Sequence, residues 1–205
     1  MTITIIDYGA GNLHSVQNAL KSLGEETVVT NDKELILSAE RLILPGVGAF
    51  GDAMQKLNES GLCEVIKEYA KSGKPFMGIC LGLQLMFEES EETPGVEGLG
   101  IFKGKCVKIE KKDDLKIPHM GWNSLDIAKP SKVLKGIGDE PYVYFVHSYY
   151  IQPEDESVVS AYTHYGSKIA VAAEKDNVFA LQFHPEKSST VGMQILKNFI
   201  NTEAV

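Results

Sequence analysis

Short apolar runs alternate with helix-like segments through the first part of the chain. The runs are TITIID (2–7), ETVVT (26–30), RLILP (41–45) and KPFMGI (74–79). Uninterrupted apolar runs of this length are typical of strands that are buried on both faces of a parallel sheet. Between the first two runs, NLHSVQNALKSLG (12–24) places apolar residues at helical spacing and ends at a glycine. The alternation predicts βαβ units and therefore an α/β fold with a mostly parallel sheet.

The pattern changes from about residue 99 onwards, where strand-like runs follow one another closely. They are KCVKIE (105–110), YVYFVHSYYI (142–151), SVVSAYTHY (157–165), KIAVAAE (168–174) and NVFALQF (177–183). Connections this short favour antiparallel pairing, because a parallel crossover needs about a dozen residues. A last amphipathic helix is predicted over residues 188–202. The charged stretches EESEET (88–93) and KKDDLK (111–116) are interpreted as solvated loops.

Composition narrows the possible function classes. With 205 residues and no linker or repeat, the chain is predicted to form one domain over residues 1–205. The net charge of −8 works against broad binding to nucleic acid or to an anionic membrane. Neither a leader peptide nor an apolar stretch of membrane-spanning length stands out, so we expect a cytoplasmic protein. Three cysteines without CxxC spacing suggest neither a disulfide framework nor a zinc site.

One of these cysteines has the sequence context of a nucleophile. Cys80 lies between a predicted buried strand and a predicted helix, and Gly78 and Gly82 flank it two residues away on each side. Small neighbours permit the sharp strand-to-helix turn that lifts a nucleophile off a sheet. The backbone N–H groups of a following helix would also favour the anionic thiolate. We therefore predict that Cys80 is a nucleophile, and that Cys63 and Cys106 are structural.

A thiol nucleophile needs a base, and His184 is the best of the five histidines. It ends the apolar run NVFALQF and is followed by Pro185 and Glu186. In an extended chain residues i and i+2 project to the same side, so Glu186 can accept a hydrogen bond from one imidazole nitrogen while the other faces Cys80. A surface histidine beside a solvated glutamate is the competing interpretation of this pair.

The turn after the third predicted strand could stabilise an oxyanion. In LPGVGAFGDA, the backbone N–H groups of Gly46, Val47 and Gly48 can approach a substrate closely because glycine has no side chain. A flexible βα loop is the alternative. The first turn, DYGAGNLHS, has the spacing of a GxG pattern, but His14 occupies the place of the third glycine of a dinucleotide fingerprint. We therefore expect no nucleotide cofactor, and the scattered histidines predict no metal site.

Together, GICLGLQ, FHPEKS and PGVGAFGDAM resemble the class I (triad) glutamine amidotransferases. The segments DYGAGNLHSVQNAL, PHMGWN (118–123), YFVHSY (144–149) and FHPEKS (183–188) extend the resemblance over nearly the whole chain. Of these motifs, PGVG, PHMGWN and HPEKS make it specific for the glutaminase subunits of imidazole glycerol phosphate synthases. The resemblance implies a flavodoxin-like fold, with helices on both faces of a mostly parallel central sheet and antiparallel strands in the C-terminal half. It implies no cofactor.

The resemblance also implies a reaction and residue roles. Cys80 would attack the side-chain carboxamide of glutamine to give a thioester, and water would complete the hydrolysis to glutamate and ammonia. His184, oriented by Glu186, would act as base and then as acid. The segment Gly46–Val47–Gly48 corresponds to the family's oxyanion strand. Residues in the positions that hold glutamine are Gln84, Ser148 and Tyr149.

In this family, ammonia passes to a synthase subunit with a (β/α)₈ barrel, which makes imidazole glycerol phosphate and an aminoimidazole carboxamide ribonucleotide in histidine biosynthesis. Such a barrel typically needs about 250 residues, so the partner must be a separate chain in a heterodimer. Residues in the positions that face the partner are Asn12, Trp122, Tyr144 and Lys187. Burial of the two aromatic residues in the chain's own core is the competing interpretation. The family links glutaminase turnover to ligand occupancy of the synthase, so the resemblance implies low activity of the isolated chain. An oxyanion donor in the glycine-rich segment that points the wrong way could be corrected by partner binding.

Three alternatives remain open at this point. Another triad glutaminase, serving pyridoxal phosphate or anthranilate synthesis, would keep Cys80, His184 and Glu186. A cysteine hydrolase that acts alone on peptides or esters would share the turn at Cys80 but would work without a partner. A binding module with a relic triad would be unaffected by replacement of Cys80.

Overall fold

The computed structural model describes residues 2–112 and 115–205. Asp113 and Asp114, within the segment KKDDLK that was predicted to be a solvated loop, lie outside the described residues. In chain order the elements are β1 (Thr2–Ile6), α1 (Leu13–Ser22), β2 (Glu26–Thr30), α2 (Lys33–Ser38), β3 (Arg41–Gly46), α3 (Phe50–Glu59), α4 (Cys63–Ala70), β4 (Phe76–Cys80), α5 (Leu81–Leu85), β5 (Glu89–Ser90), β6 (Gly104–Lys108), β7 (His119–Ser124), β8 (Asp126–Ile127), β9 (Tyr142–His147), β10 (Tyr149–Pro153), β11 (Val159–Tyr165), β12 (Ser167–Lys175), β13 (Val178–Leu181) and α6 (Ser189–Ile200).

One large mixed sheet forms the centre of the molecule, with the order β2-β1-β3-β4-β13-β12-β10-β6-β5. The strands β2, β1, β3, β4 and β13 are parallel to their neighbours in this series. From β13 to β12, β10 and β6 the pairing is antiparallel, and β11 adds to β12 on a side branch. The predicted α/β class, with antiparallel strands in the C-terminal half, is confirmed.

Helices cover both faces of the parallel half. Successive strand residues alternate between two buried clusters, so that Leu42 and Leu44 pack on one face and Ile43 on the other. Residues of α1 and α6 join the cluster of Ile43, whereas residues of α2, α3 and α4 join the cluster of Leu42. In the two ranges that the structure describes, no helix is long and apolar enough to cross a membrane.

The predicted run YVYFVHSYYI (142–151) is not one strand. It divides at Ser148 into β9, which pairs with β7 in a separate two-stranded sheet, and β10, which enters the main sheet between β6 and β12. The break is stabilised because the Ile109 N–H donates to the Ser148 carbonyl (2.9 Å). Apolar and aromatic residues continue across the break, so the sequence pattern does not reveal the change of partner.

Strand β13 connects the two halves of the sheet. It is antiparallel to β12, as its short connection predicts, and parallel to β4 on its other side. The carboxyl ends of β3, β4 and β13 therefore lie at the same edge of the sheet. In open α/β sheets this edge is where ligands bind.

Candidate active site

Cys80 is the last residue of β4 and lies at a sharp turn into the five-residue helix α5. Its backbone has φ 55° and ψ −110°, a conformation that non-glycine residues rarely adopt. In the parallel pairing of β3 with β4, it lies opposite Gly46. The strained strand-to-helix turn that the Gly-x-Cys-x-Gly pattern predicted is thus present.

The glycine at position 82 is needed for close packing of this turn. A Cβ atom on Gly82 would lie 1.9 Å from the carbonyl oxygen of Leu44, a neighbour that is backbone and cannot move aside. A Cβ atom on Gly78 would lie 2.9 Å from the backbone of Gly82. These contacts, together with the strained φ of Cys80, explain why the two flanking positions carry glycine.

His184 follows β13 with an extended backbone, but Glu186 lies in the short 3-10 turn Pro185–Lys187 and not in the extended chain from which the contact of the two side chains was predicted. The His184 Nδ1 and the Glu186 Oε1 are 2.7 Å apart, and both side chains are almost completely buried. The His184 N–H donates to the Tyr144 carbonyl (3.0 Å), and the Ser188 hydroxyl donates to the His184 carbonyl (2.6 Å). The pair is therefore held inside the protein, which argues against the competing interpretation as a surface histidine.

The protonation of His184 depends on its two neighbours. Burial lowers its pKa, but hydrogen bonding and negative charge from Cys80 and Glu186 outweigh burial and raise the pKa from 6.5 to about 9. Because Nδ1 is engaged by Glu186, Nε2 is the atom that can exchange a proton with the thiol. Nε2 is buried and makes no well-aligned hydrogen bond with any residue in the described ranges. Such contacts often tighten only when substrate binds.

Two further groups that the sequence analysis missed lie next to the thiol. The Gln182 Nε2 and the Val146 carbonyl are each 3.9 Å from the Cys80 Sγ. Gln182 is fully buried, and its Oε1 accepts a hydrogen bond from the Gln84 Nε2 (3.1 Å). An amide that follows four consecutive apolar residues in the run NVFALQF was the signal that could have identified Gln182.

The predicted oxyanion segment, Gly46–Val47–Gly48, lies at the end of β3 beside Cys80. Gly46 is buried between the turn at Cys80 and Tyr8, whereas the Val47 side chain is 42% exposed. Gly48 has φ +101°, and a Cβ atom built on it would have no neighbour within 4 Å. The peptide group between Val47 and Gly48 thus has open space on its Gly48 side, and the glycine permits it to change orientation.

The three residues predicted to hold glutamine lie at the same edge. Gln84 is on α5, and its Nε2 also approaches the Tyr149 carbonyl (3.4 Å). Ser148 and Tyr149 follow directly on the Val146–His147 segment that passes the thiol. The structure therefore brings all nine predicted catalytic, oxyanion and substrate positions to one region.

A buried histidine pair was not predicted. The His119 Nδ1 and the His147 Nε2 are 2.9 Å apart, the His147 Nδ1 donates to the Tyr149 carbonyl (2.8 Å), and His119 stacks on Tyr165. Two ring nitrogens at this distance share one proton, so the pair cannot be doubly charged. Burial lowers the pKa of His119 to about 4 and that of His147 to about 3. The pair links β7 to the segment carrying Ser148 and Tyr149.

The interpretation of EESEET as a solvated loop was wrong for Glu89 and Ser90, which form β5, and for Glu92. Its Oε2 accepts a hydrogen bond from the Phe50 N–H (2.7 Å) at the start of α3. A carboxylate at this position satisfies a free N–H group and the positive end of the helix. Because α3 begins just after the oxyanion segment, Glu92 anchors one end of that segment.

Trp122 and Tyr144, two of the four residues predicted to face a partner, pair across the strands of the β7–β9 sheet. Trp122 is 52% exposed, and its ring packs edge-on against Tyr144 at a centroid distance of 6.2 Å. The Lys187 Nζ lies 5.9 Å from the centre of the Tyr144 ring. Asn12 precedes α1, which lies beside the turn that carries Lys187. Trp122 therefore lies outside the chain's own core, whereas Tyr144 is partly buried.

A large open cavity lies elsewhere. It measures about 1340 Å³ and is lined by residues near the amino ends of β4 and β13, among them Gly73 and Asn177. None of the predicted site residues lines it, so size alone does not identify the site. In the described part of the chain, no three histidine, cysteine, aspartate or glutamate side chains are arranged to hold a metal ion.

The chain is similar to known proteins over almost its whole length. The family model "Glutamine amidotransferase class-I" matches residues 4–202. An "Imidazole glycerol phosphate synthase subunit HisH" from Syntrophotalea carbinolica is 50% identical over 202 residues, covering 96% of this chain and 98% of that protein. A protein of the same name from Aquifex aeolicus is 52% identical over 200 residues, covering 97% of this chain and 96% of its own length.

Solved structures agree on the fold. A "glutamine amidotransferase" superimposes with a TM-score of 0.75 at 21% identity, covering 96% of both chains. A chain in the structure of PurLQS from Thermotoga maritima gives a TM-score of 0.73 at 21% identity, covering 98% of this chain and 97% of the other. The flavodoxin-like fold expected from the resemblance is confirmed.

Proposed function

The chain belongs to the class I glutamine amidotransferase family, and on that premise we propose that it is the glutaminase subunit of an imidazole glycerol phosphate synthase. It hydrolyses glutamine to glutamate and ammonia, and the ammonia is used by a synthase subunit on a separate chain in histidine biosynthesis. One observation carries most of this proposal: a strained, buried Cys80 beside a buried His184–Glu186 pair.

Cys80, His184 and Glu186 form the catalytic triad of this proposal. The Cys80 thiol gives its proton to the His184 Nε2, and the resulting thiolate attacks the carboxamide carbon of glutamine. The tetrahedral intermediate then collapses to a γ-glutamyl thioester as ammonia leaves. With a pKa of about 9, His184 holds a proton at neutral pH and can give it to the departing ammonia. His184 then takes a proton from the water that hydrolyses the thioester, which releases glutamate and restores the thiol.

Glu186 keeps His184 in the required orientation. Its Oε1 accepts from Nδ1, which leaves Nε2 for the thiol and the substrate. The negative charge of Glu186 also stabilises the imidazolium. Its burial makes this interaction stronger than it would be in water.

The segment Gly46–Val47–Gly48 supplies the backbone N–H groups that stabilise the oxyanion. Its place beside Cys80, at the end of the neighbouring strand, supports this role. Gln84, Ser148 and Tyr149 bind the substrate, on the evidence of their position around the thiol. Removal of one oxyanion donor typically lowers kcat by about 10²- to 10³-fold.

The partner is proposed to be a (β/α)₈ barrel that binds the outer face of the β7–β9 sheet. The printed names of the relatives describe a subunit of a synthase. The exposed Trp122 packs against Tyr144, and both residue types are enriched in interface hot spots. Asn12 extends this surface along the start of α1. We expect the isolated chain to have low activity, because the partner orders the oxyanion segment.

The first experiment measures glutamate release from glutamine by the chain alone, and then by the chain with a synthase barrel and its nucleotide ligand. We expect strong stimulation by the barrel and complete loss of activity in Cys80→Ala. Cys63→Ala, at a partly exposed cysteine away from the site, is the matched control and should retain activity. Unchanged synthesis in Cys80→Ala would refute the nucleophile. Activity without any effect of the barrel would point to a different acceptor, such as a pyridoxal phosphate or anthranilate enzyme, or to a hydrolase that acts alone.

A second experiment tests the partner surface. Trp122→Ala should weaken binding of the barrel by about 30-fold, since central aromatic residues carry much of the energy of an interface. Leu35→Ala changes a similarly exposed apolar residue on α2 and should leave binding unchanged. Equal binding by both variants would place the interface elsewhere.

A further inference from the structure

Tyr8 has a hydroxyl group that is buried without a hydrogen-bond partner among the described residues. The residue is 5% exposed and lies just beyond the carboxyl end of β1. Burying a hydroxyl without a partner costs free energy, so such a group needs an explanation.

The hydroxyl lies where the oxyanion segment meets the turn at Cys80. A Cβ atom built on Gly46 would be 2.7 Å from the Tyr8 hydroxyl, and also 2.9 Å from the Leu81 Cβ. Burial, and then the negative charge of Cys80, raises the pKa of Tyr8 above its ordinary value of 10. The hydroxyl therefore keeps its proton and is available as a donor.

Tyr69 shows that the same fold can satisfy a buried tyrosine. It is 1% exposed, and its hydroxyl donates to the Ala39 carbonyl (3.2 Å) and approaches the Pro75 carbonyl (3.4 Å). Both tyrosines are thus buried, but only Tyr8 has an unpaired hydroxyl in the part of the chain that the structure describes, and only Tyr8 contacts the proposed active site.

We propose that Tyr8 is a positioning residue for the oxyanion segment: during the reaction its hydroxyl donates a hydrogen bond to a main-chain carbonyl within Gly46–Gly48. The C=O and N–H groups of one trans peptide point in opposite directions. When the C=O group of such a peptide is held towards Tyr8, the N–H group of the same peptide therefore points to the other side, towards the oxyanion. The space around Gly48 allows the peptide to turn. This inference rests on the proposed glutaminase function and adds a residue to it.

The test compares Tyr8→Phe with Tyr69→Phe, each of which removes a single hydroxyl. Glutaminase kinetics are measured on the complex with the synthase barrel and its ligand, and thermal unfolding is measured on the same proteins. We expect Tyr8→Phe to lower kcat by about 10- to 100-fold with the KM for glutamine within about twofold, because an oxyanion donor acts mainly in the transition state. Its unfolding temperature should stay equal or rise, because an unpaired buried group is removed.

Tyr69→Phe should show the reverse, with a lower unfolding temperature and unchanged kcat, because its hydroxyl is paired and distant from the site. A normal kcat in Tyr8→Phe would overturn the proposal. So would a rise in KM alone, since this would mean that the hydroxyl binds ground-state glutamine.

An inhibitor comparison separates positioning from a general structural effect. An aldehyde analogue of glutamine forms a tetrahedral adduct with a thiol, whereas glutamate binds without one. Tyr8→Phe should lose affinity for the aldehyde by the same factor as kcat and keep its affinity for glutamate. Equal loss for both ligands would overturn the proposal. Absence of glutaminase activity in the unmodified complex would instead refute the proposed function itself, and the role of Tyr8 with it.

Discussion

Two buried polar clusters lie at opposite ends of the strands β3, β4 and β13. The catalytic cluster, at the carboxyl ends, consists of Tyr8, Cys80, Gln182, His184 and Glu186. The C-terminal anchor, at the amino ends, consists of Arg41, Asn177 and the main-chain carbonyls that they contact. Both clusters are buried and polar, but they differ in how completely their hydrogen bonds are formed.

In the C-terminal anchor, the side chains of Arg41 and Asn177 are hydrogen-bonded to neighbouring groups. Arg41 donates to the Phe199 and Thr202 carbonyls (3.4 and 2.7 Å), and the Asn177 Nδ2 donates to the Gly73 and Glu203 carbonyls (both 2.7 Å). The Asn177 Oδ1 accepts from the Lys132 Nζ (2.6 Å). The cluster therefore attaches the C-terminal segment to the sheet, and every contact contributes to stability.

The catalytic cluster is not satisfied. Within the described residues, the Tyr8 hydroxyl, the His184 Nε2 and the Glu186 Oε2 are buried without partners, and Cys80 has a strained backbone. Unpaired groups and strain lower stability, and they persist only where the surrounding structure holds them. The difference indicates that the carboxyl ends are organised for groups that arrive with a substrate, whereas the amino ends are organised for stability.

The largest expected effect is on kcat, and it distinguishes the buried carboxylate of Glu186 from that of Glu174. Glu186→Gln should lower kcat by roughly 10²- to 10⁴-fold, because it weakens the orientation and charge support of His184. The lost charge also lowers the pKa of His184 from about 9, so the alkaline limb of the pH profile of kcat/KM should move to lower pH. Glu174→Gln changes a buried carboxylate that accepts from the Lys132 N–H and should leave the profile unchanged. An unshifted limb in Glu186→Gln would contradict the assignment.

The next effect concerns the C-terminal anchor. Asn177→Ala should lower the free energy of unfolding by about 2–3 kcal/mol, because it leaves two carbonyls without their donor. Glutaminase activity at room temperature should be unchanged. Urea unfolding measures the loss, and Asn201→Ala, at an exposed asparagine, is the control with little effect. A loss of kcat in folded Asn177→Ala would show that the two clusters are coupled.

The third prediction concerns the pH dependence of stability. His119 and His147 form a buried pair that is hydrogen-bonded, like the C-terminal anchor, but can also be protonated. Folded-state pKa values of about 4 and 3 for His119 and His147 lie below 6.5. The unfolded chain therefore binds more protons below pH 6.5, and stability falls from there towards pH 4 by up to about 1.4 kcal/mol per pH unit for each histidine. His119→Phe keeps an aromatic ring but removes one titration. Its urea-unfolding free energy should depend less steeply on pH than that of the original protein, and equal slopes would contradict the interpretation.

The smallest effect concerns Ser160, whose hydroxyl is also buried without a partner among the described residues but lies outside the catalytic cluster. Ser160→Ala should change stability by less than about 1 kcal/mol, with either no change or a gain, and should leave glutaminase activity unchanged. Reduced activity in Ser160→Ala would mean that β11, which carries Ser160, contributes to the active site. Thermal unfolding and glutamate release provide the two measurements.

Local patterns in the sequence were sufficient for much of the fold and for the main chemistry. The apolar runs at 26–30 and 41–45 closely match β2 and β3. The glycines around Cys80 and the spacing of His184 and Glu186 predicted geometry that the structure contains. These signals are local, because the spacing of apolar side chains and the position of glycine affect the backbone only within the same strand or turn.

Several features could not be predicted from local patterns. The run 142–151 gives no sign that it divides at Ser148 between two sheets. The capping role of Glu92 and the pairing of His119 with His147 join segments that are distant in sequence. Each of them depends on which strands become neighbours.

By itself, the sequence determined the α/β class, the strained nucleophile turn and the residue types of the site. Only the tertiary structure decided that β13 lies parallel to β4, which brings His184 to Cys80, and that the Tyr8 hydroxyl is buried without a partner among the described residues. The reason is physical. Backbone preference and hydrophobic period are local, whereas strand order and the satisfaction of buried polar groups follow from packing the whole sheet at once.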